Sequence, residues 1–243
     1  MLNAAELQPA YILHTRHYRE TSLLIEAFTS SQGRISLIAK AARGLHHKNK
    51  RYKSLLQAFN PLLLSWRGKT ELLNLYQAEP NRRISHQLIG KPLLCGFYLN
   101  ELLIRLLHRY DPHPSLFESY QHALTHLAHE PEIALRQFEK KLLAEVGYAL
   151  RLDKDNDSQQ DIIADQVYQF VANEGIVRCP KNRPLSESVF SGSSLLAIHH
   201  EHWGNKLHLR TAKRLFRLAL NHLLEGKNLY SRSLLYPPAQ AND

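Results

Sequence analysis

Residues Glu20–Arg43 read ETSLLIEAFTSSQGRISLIAKAAR. Leu23, Ile25 and Ala27 recur at every second position, and so do Ile35, Leu37 and Ala39. A period of two marks strands with one buried face. SSQG at Ser30–Gly33 lies between the two runs and has the composition of a hairpin turn. Three further runs share this pattern. AYILHTRHY before the hairpin places Tyr11, Leu13 and Thr15 on one side, while NPLLLSWRG after it groups Leu62, Leu64 and Trp66. TELLNLYQAE follows a second turn signal, RGKT at Arg67–Thr70. Five short strands within about 80 residues suit a small barrel, because closure removes exposed sheet edges.

After Glu79–Asn81 the period lengthens. KPLLCGFYLNELLIRLLHRY sets Leu94, Tyr98, Leu102 and Leu106 four residues apart, with Pro92 in the first turn, where its missing N–H costs nothing. A break at Asp111–Ser115 precedes a second helix, LFESYQHALTHLAH, and EPEIALRQFEKKLLAEVGYAL predicts a third. The polar stretch RLDKDNDSQQD reads as a loop, and QVYQFVANEGIV as a small hairpin. Helix resumes from Ser194, and KLHLRTAKRLFRLALNHLL is strongly amphipathic. The sequence therefore predicts an α+β chain: an oligonucleotide/oligosaccharide-binding (OB) type barrel over 1–80, a mainly helical domain with a β-hairpin insertion over 81–236, and a disordered tail over 237–243.

The chain carries a formal charge of +9 across 243 residues. No Asp or Glu lies between Glu26 and Glu71, a window holding Arg34, Lys40, Arg43, Lys48, Lys50, Arg51, Lys53, Arg67 and Lys69. The rest of the chain has 22 Lys and Arg against 22 Asp and Glu, so this window holds the whole formal excess. A concentrated excess points to a polyanionic partner. Its densest part, Lys40–Lys53, connects two predicted strands, and Tyr52, His46 and His47 within it could stack on bases; Tyr52 could equally pack inward. If five of these cations meet phosphates, the salt slope should be about −3.5 on single strands and about −4.5 on duplex.

ETSLLIEAFT followed by GRISLIAKAAR resembles the N-terminal signature of RecO, a family of bacterial DNA repair and recombination mediators. NELLIRLL, ALRQFEKKLLAEVGY and LEGKNLYSRSLL are similar to later blocks of the same family, in the same order. The resemblance implies an N-terminal OB-fold, binding of single- and double-stranded DNA, strand annealing, and help in loading a recombinase onto coated single strands. It also implies two protein partners, RecR and the acidic C-terminal tail of the single-stranded DNA-binding protein (SSB). Within the basic window it makes Arg34, Lys40, Arg43, Lys48, Lys50, Arg51 and Lys53 candidate DNA contacts. Arg136 matches an arginine block in the family and is the candidate grip on the SSB tail, since a guanidinium holds carboxylates by paired hydrogen bonds. Alternatively, Arg136 is a helix-surface arginine pairing with Glu132 or Glu139. Some members of the family carry four zinc-binding cysteines after the third helix. Here that segment holds only Cys179, so no zinc is expected.

Other motifs resolve to bland readings. Asp153, Asp155 and Asp157 alternate as in a calcium loop, but Ser158 stands where such a loop needs Gly and Ala164 where it needs Glu. HHEHW at His199–Trp203 reads as a solvated cluster, and Cys95 as a small core residue. There is no P-loop, G-x-S-x-G or H-E-x-x-H motif, in keeping with a binding protein rather than an enzyme, with no cofactor. The first residues do not read as a signal peptide, and no apolar run of about 18 residues occurs, so the expected location is the cytoplasm, at the nucleoid. Two other functions fit the basic window: an OB-fold RNA-binding protein, and a module that meets an acidic protein partner.

Overall fold

The computed structural model describes residues 6–40, 42, 52, 54–82, 84, 86, 88–180 and 186–235. These residues fall into two compact units, Met1–His129 with Leu229–Asp243 and Glu130–Asn228.

In the first unit β1 (Gln8–Tyr18), β2 (Ser22–Thr29), β3 (Gly33–Ala39), β4 (Leu62–Arg67) and β5 (Leu72–Pro80) close a barrel in the order β1-β2-β3-β5-β4. β3 and β5 run parallel, and the other neighbours are antiparallel. The interior holds Ile25, Ala27, Ile35, Leu37, Ala39, Leu62 and Leu64, the residues whose alternation marks the strands, with Trp66 packed against them. Leu56, Leu55 and Tyr52 join the same cluster, so Tyr52 packs inward.

β1 departs from its expected alternation. Ala10 and Ile12 line the interior, whereas Tyr11 packs against Phe117 and Tyr120. A bulge between Ile12 and His14 then shifts the register. Both faces of this part of β1 are buried, because α1 (Lys91–Leu106) and α2 (Pro114–His126) belong to the barrel's own unit. A polar pair fixes α1: the buried Asn100 donates to the Leu13 carbonyl at 2.9 Å and accepts from Tyr120 at 2.5 Å. Each of these helices carries Pro in its first turn. The loop between them presses on the β2–β3 turn. Gly33 has φ +65°, and a Cβ there would lie 1.8 Å from the Asp111 carbonyl oxygen. A short helix absent from the sequence reading, α6 (Tyr230–Leu235), completes the unit. Glu101 on α1 accepts from the Tyr230 and Ser231 amides at 3.0 and 2.8 Å and from the Ser231 hydroxyl at 2.6 Å.

The second unit contains α3 (Pro131–Glu145), α4 (Gly192–His199) and α5 (Lys206–Leu223). β6 (Val167–Val171) and β7 (Gly175–Cys179) form the expected hairpin, and β8 (Val189–Ser191) extends it to a sheet of order β7-β6-β8. Ser191 and Asn205 cap α4 and α5 through their side-chain oxygens. No helix among the described residues is long and apolar enough to cross a membrane.

Candidate nucleic-acid interface

Strand register gathers cations at one end of the barrel. His17 pairs with Leu23, and Leu23 pairs with Ala39, so the ends of β1 and β3 flank the start of β2. Arg16 on β1, Arg19 in the β1–β2 turn and Lys40 after β3 are all exposed there, beside His14 and His17. None of the three forms an ion pair among the described residues; Arg19 lies over the Tyr18 ring at 5.3 Å. The turn holds one acid, Glu20. Alongside runs an apolar groove lined by Leu23, Phe59, Leu93 and Phe97, with His14 and His17 at its rim. Phe97 is 41% exposed and meets Phe59 edge-on at 5.0 Å. Cations next to an accessible aromatic ring suit single-stranded nucleic acid, whose phosphates need charge and whose bases need a stacking surface.

The candidate residues named from the sequence fare differently. Lys40 is at this end and exposed. Arg43, Lys48, Lys50, Arg51 and Lys53 lie outside the described residues. Arg34 is not part of the exposed set. Its side chain is 13% exposed, lies 3.7 Å from Glu26 and donates to the Ile104 carbonyl at the end of α1. Arg109 shares the same carboxylate at 2.8 Å, and Ser36 donates to it at 2.6 Å. Burial lowers the Arg34 guanidinium from its ordinary value and Glu26 opposes that shift. Arg34 is thus committed to holding the α1–α2 loop on the barrel. Arg16 and Arg19 escaped the charge count because they precede Glu26 and lie outside the acid-free window. Their signal is topological: they share a barrel end with Lys40.

Arg136 also differs from its expectation. It is buried rather than on the helix surface: it is 5% exposed, Glu139 is 2% exposed, and the two bond at 2.6 Å. The pairing with Glu139 is the one the sequence allowed, but it is buried. The Arg136 Nε has no hydrogen-bond acceptor among the described residues.

The remaining clusters serve the fold. The Asp155 carboxylate accepts from the Asp157 amide at 3.1 Å and the Ser158 hydroxyl at 2.7 Å, closing its loop. Burial would raise this carboxyl, but those bonds hold it below its ordinary value. At the end of α4, Lys140 donates to the His199 carbonyl at 3.0 Å and pairs with Glu201 at 2.8 Å. Among the described residues no group of three or more His, Cys, Asp or Glu could hold a metal ion. Cys95 and Cys179 are both buried.

A closed barrel with this strand order, cations at one end and a following helical region define an OB-type protein of α+β class. Comparison with known proteins narrows that class. The family models Recombination protein O N terminal and Recombination protein O C terminal match residues 4–83 and 90–233. The chain is 45% identical to DNA repair protein RecO of Coxiella burnetii (strain RSA 331 / Henzerling II), over 97% of this chain and all of that protein. The protein of the same name from Nitrosospira multiformis is 44% identical over 95% of this chain and 94% of its own length. That from Aromatoleum aromaticum is 41% identical over 94% of each. The chain belongs to the RecO family of DNA repair proteins.

Proposed function

We propose that this protein is a non-enzymatic mediator of recombinational repair whose cationic barrel end grips the backbone of single- and double-stranded DNA. The observation that carries this reading is the grouping of Arg16, Arg19 and Lys40, exposed and without ion pairs among the described residues, beside the exposed ring of Phe97. Lys48, Lys50, Arg51 and Lys53 follow Lys40 in sequence and belong to the same proposed contact set. Binding through phosphates tolerates any sequence, because base edges are not read. Two strands held on cationic surfaces repel one another less, a sufficient physical reason for annealing without nucleotide hydrolysis. The helical part captures the acidic SSB tail, which brings the protein to coated DNA; RecR then joins, and a recombinase loads as the coat is displaced locally. Arg136 as described presents no open fork to a tail carboxylate, so its proposed part is to hold α3 in shape through Glu139. The site of action is the nucleoid.

The test is a salt titration of a fluorescent single-stranded oligonucleotide. Replacing Arg16, Arg19 and Lys40 by Ala should lower the slope of log K against log salt by about 2, at about 0.7 per phosphate contact. Exchanging Arg and Lys at the same positions should leave it intact. An unchanged slope in the alanine variant would remove this barrel end from the interface. Annealing of SSB-coated complementary strands, with and without the protein, tests the mediator role.

A further inference from the structure

We infer that α5 carries a second DNA-backbone site, on the compact unit that does not contain the barrel. The helix is 18 residues long and has no Asp or Glu. Thr211, Ala212, Leu215, Phe216, Ala219 and Leu220 form its buried face. Lys206, Arg210, Lys213 and Arg217 fall at i, i+4, i+7 and i+11, on the opposite face. Lys206, Arg210 and Arg217 are exposed, Lys213 is half-buried, and none of the three exposed cations forms an ion pair among the described residues.

Helix stability does not account for this arrangement. Lys206 and Arg210, Arg210 and Arg214, and Lys213 and Arg217 are like charges four residues apart, a spacing at which they weaken a helix. The first turn contains no acid, although a helix start favours acids and disfavours cations. Three of the unit's carboxylates are paired elsewhere, Glu201 with Lys140, Glu145 with Lys141 and Glu225 with Lys227, and Glu187 acts on Arg214 rather than on the exposed stripe. Arg214 alone of the helix's arginines has an interior role, donating to the Val189 carbonyl at 2.6 Å and lying over the Phe190 ring.

A polyanion would relieve the repulsion along the stripe. From Lys206 to Arg217 the helix rises about 16 Å at ~1.5 Å per residue. One strand of duplex DNA places a phosphate about every 3.4 Å along its axis, so the stripe spans about five phosphates. A straight cationic row of that length matches a regular backbone. This inference rests on the proposed DNA-binding function and adds a second surface to it. A molecule with one cationic surface on each unit has the minimum equipment to hold two stretches of DNA.

The test uses the full chain and a labelled oligo-dT, read by anisotropy over a salt series. Lys206→Ala, Arg210→Ala and Arg217→Ala together should lower the slope of log K against log salt by about 2. The charge-preserving set Lys206→Arg, Arg210→Lys and Arg217→Lys should keep the wild-type slope, which separates lost charge from lost fold. A wild-type slope in the alanine set, with the wild-type protein binding normally, would overturn the α5 site and leave the barrel reading standing. If the wild-type protein bound oligo-dT without salt dependence, the proposed function itself would fail. A labelled poly-glutamate peptide is the competing probe. Loss of its binding in the alanine set, with the oligo-dT slope intact, would assign α5 to an acidic protein and overturn the inference.

Discussion

Replacing Gly33 by alanine should be far more damaging than a surface turn substitution. Gly33 sits at φ +65°, where an L side chain costs about 1–2 kcal/mol. Its Cβ would fall 1.8 Å from the Asp111 carbonyl oxygen, a backbone atom that cannot swing aside. Residues 109–111 would have to lift by more than 1 Å to restore van der Waals contact, roughly the gap to an ordinary 3.5 Å separation. That movement breaks the bond from the Tyr110 amide to the Arg34 carbonyl, 3.0 Å long, and the bond from the Tyr110 hydroxyl to the Glu71 carbonyl. At about 1 kcal/mol net for each bond, the total loss is about 3–4 kcal/mol. Gly226 supplies the control: its φ is +73° and an added Cβ meets nothing within 4 Å, so Gly226→Ala should cost only the backbone term of about 1–2 kcal/mol. The chain has two tryptophans, Trp66 in the barrel unit and Trp203 in the other, so each substitution has its own reporter. Urea unfolding of Gly33→Ala is followed by Trp66 in a Trp203→Phe background, and of Gly226→Ala by Trp203 in a Trp66→Phe background. If the two substitutions cost the same, the close docking of the α1–α2 loop on the barrel turn is refuted.

Two other perturbations probe buried polar groups. Arg136→Met leaves the Glu139 carboxylate buried without its guanidinium, which should cost about 3–5 kcal/mol, whereas Arg136→Met with Glu139→Leu should come close to wild type; urea unfolding followed by Trp203 distinguishes the two, and a single substitution costing under about 1 kcal/mol would contradict the buried pair. His86 lies 2.9 Å from the Tyr11 hydroxyl, its Nδ1 has no hydrogen-bond partner among the described residues, and burial pushes it down to about 4. An unfolded histidine titrates near ~6.5, so between ~6.5 and about 4 the unfolded chain takes up a proton that the folded chain refuses. Stability should therefore fall as pH drops through that window, and His86 should add no pH dependence above it. The ceiling is about 3 kcal/mol, reduced to about 1–2 by solvent screening at a partly exposed ring. His86→Gln should flatten the fall in urea midpoint between pH 7 and pH 5, and equal falls in the two proteins would show that His86 does not contribute.

The barrel was legible where the interior residues keep an unbroken period of two. In β2 and β3 the interior residues alternate with residues of the other face, so Leu23 to Ala27 and Ile35 to Ala39 announced themselves. β1 was harder because Tyr11 and Ile12 are both fully buried, on opposite faces, and a bulge then breaks the period. β8 and α6 are three and six residues long, shorter than any window in which a period can be counted. What fixes them is tertiary, the pairing of β8 with β6 and the carboxylate of Glu101 on the α6 amides. The candidate site was legible as a region but not residue by residue. Arg34 and Lys40 both counted as cations of the acid-free window, yet Arg34 shares Glu26 with Arg109 while Lys40 is exposed.

Net charge over a stretch of sequence and charge available to a ligand are separate quantities, and the two cationic surfaces show why. Coulomb forces in salt water fade over about 8–10 Å, so a carboxylate cancels a cation only if folding brings it that near. Glu26 stands just outside the acid-free window, yet folding brings it against Arg34 and removes that arginine from the surface. The opposite happens in α5. Outside residues 27–70 the formal charges balance at 22 each, which hides the helix altogether. Two acids of its own unit, Glu201 and Glu145, are bonded to Lys140 and Lys141 of α3, and Glu187 acts on Arg214. The exposed cations Lys206, Arg210 and Arg217 thus form no ion pair among the described residues, although the charges outside residues 27–70 balance on paper. The same rule bears on the proposed barrel interface, where Arg16 and Arg19 precede Glu26 in sequence but reach the end of β3 in space. An ion-pair map, rather than a charge count, is what separates the cations that can meet phosphate from those that hold the fold.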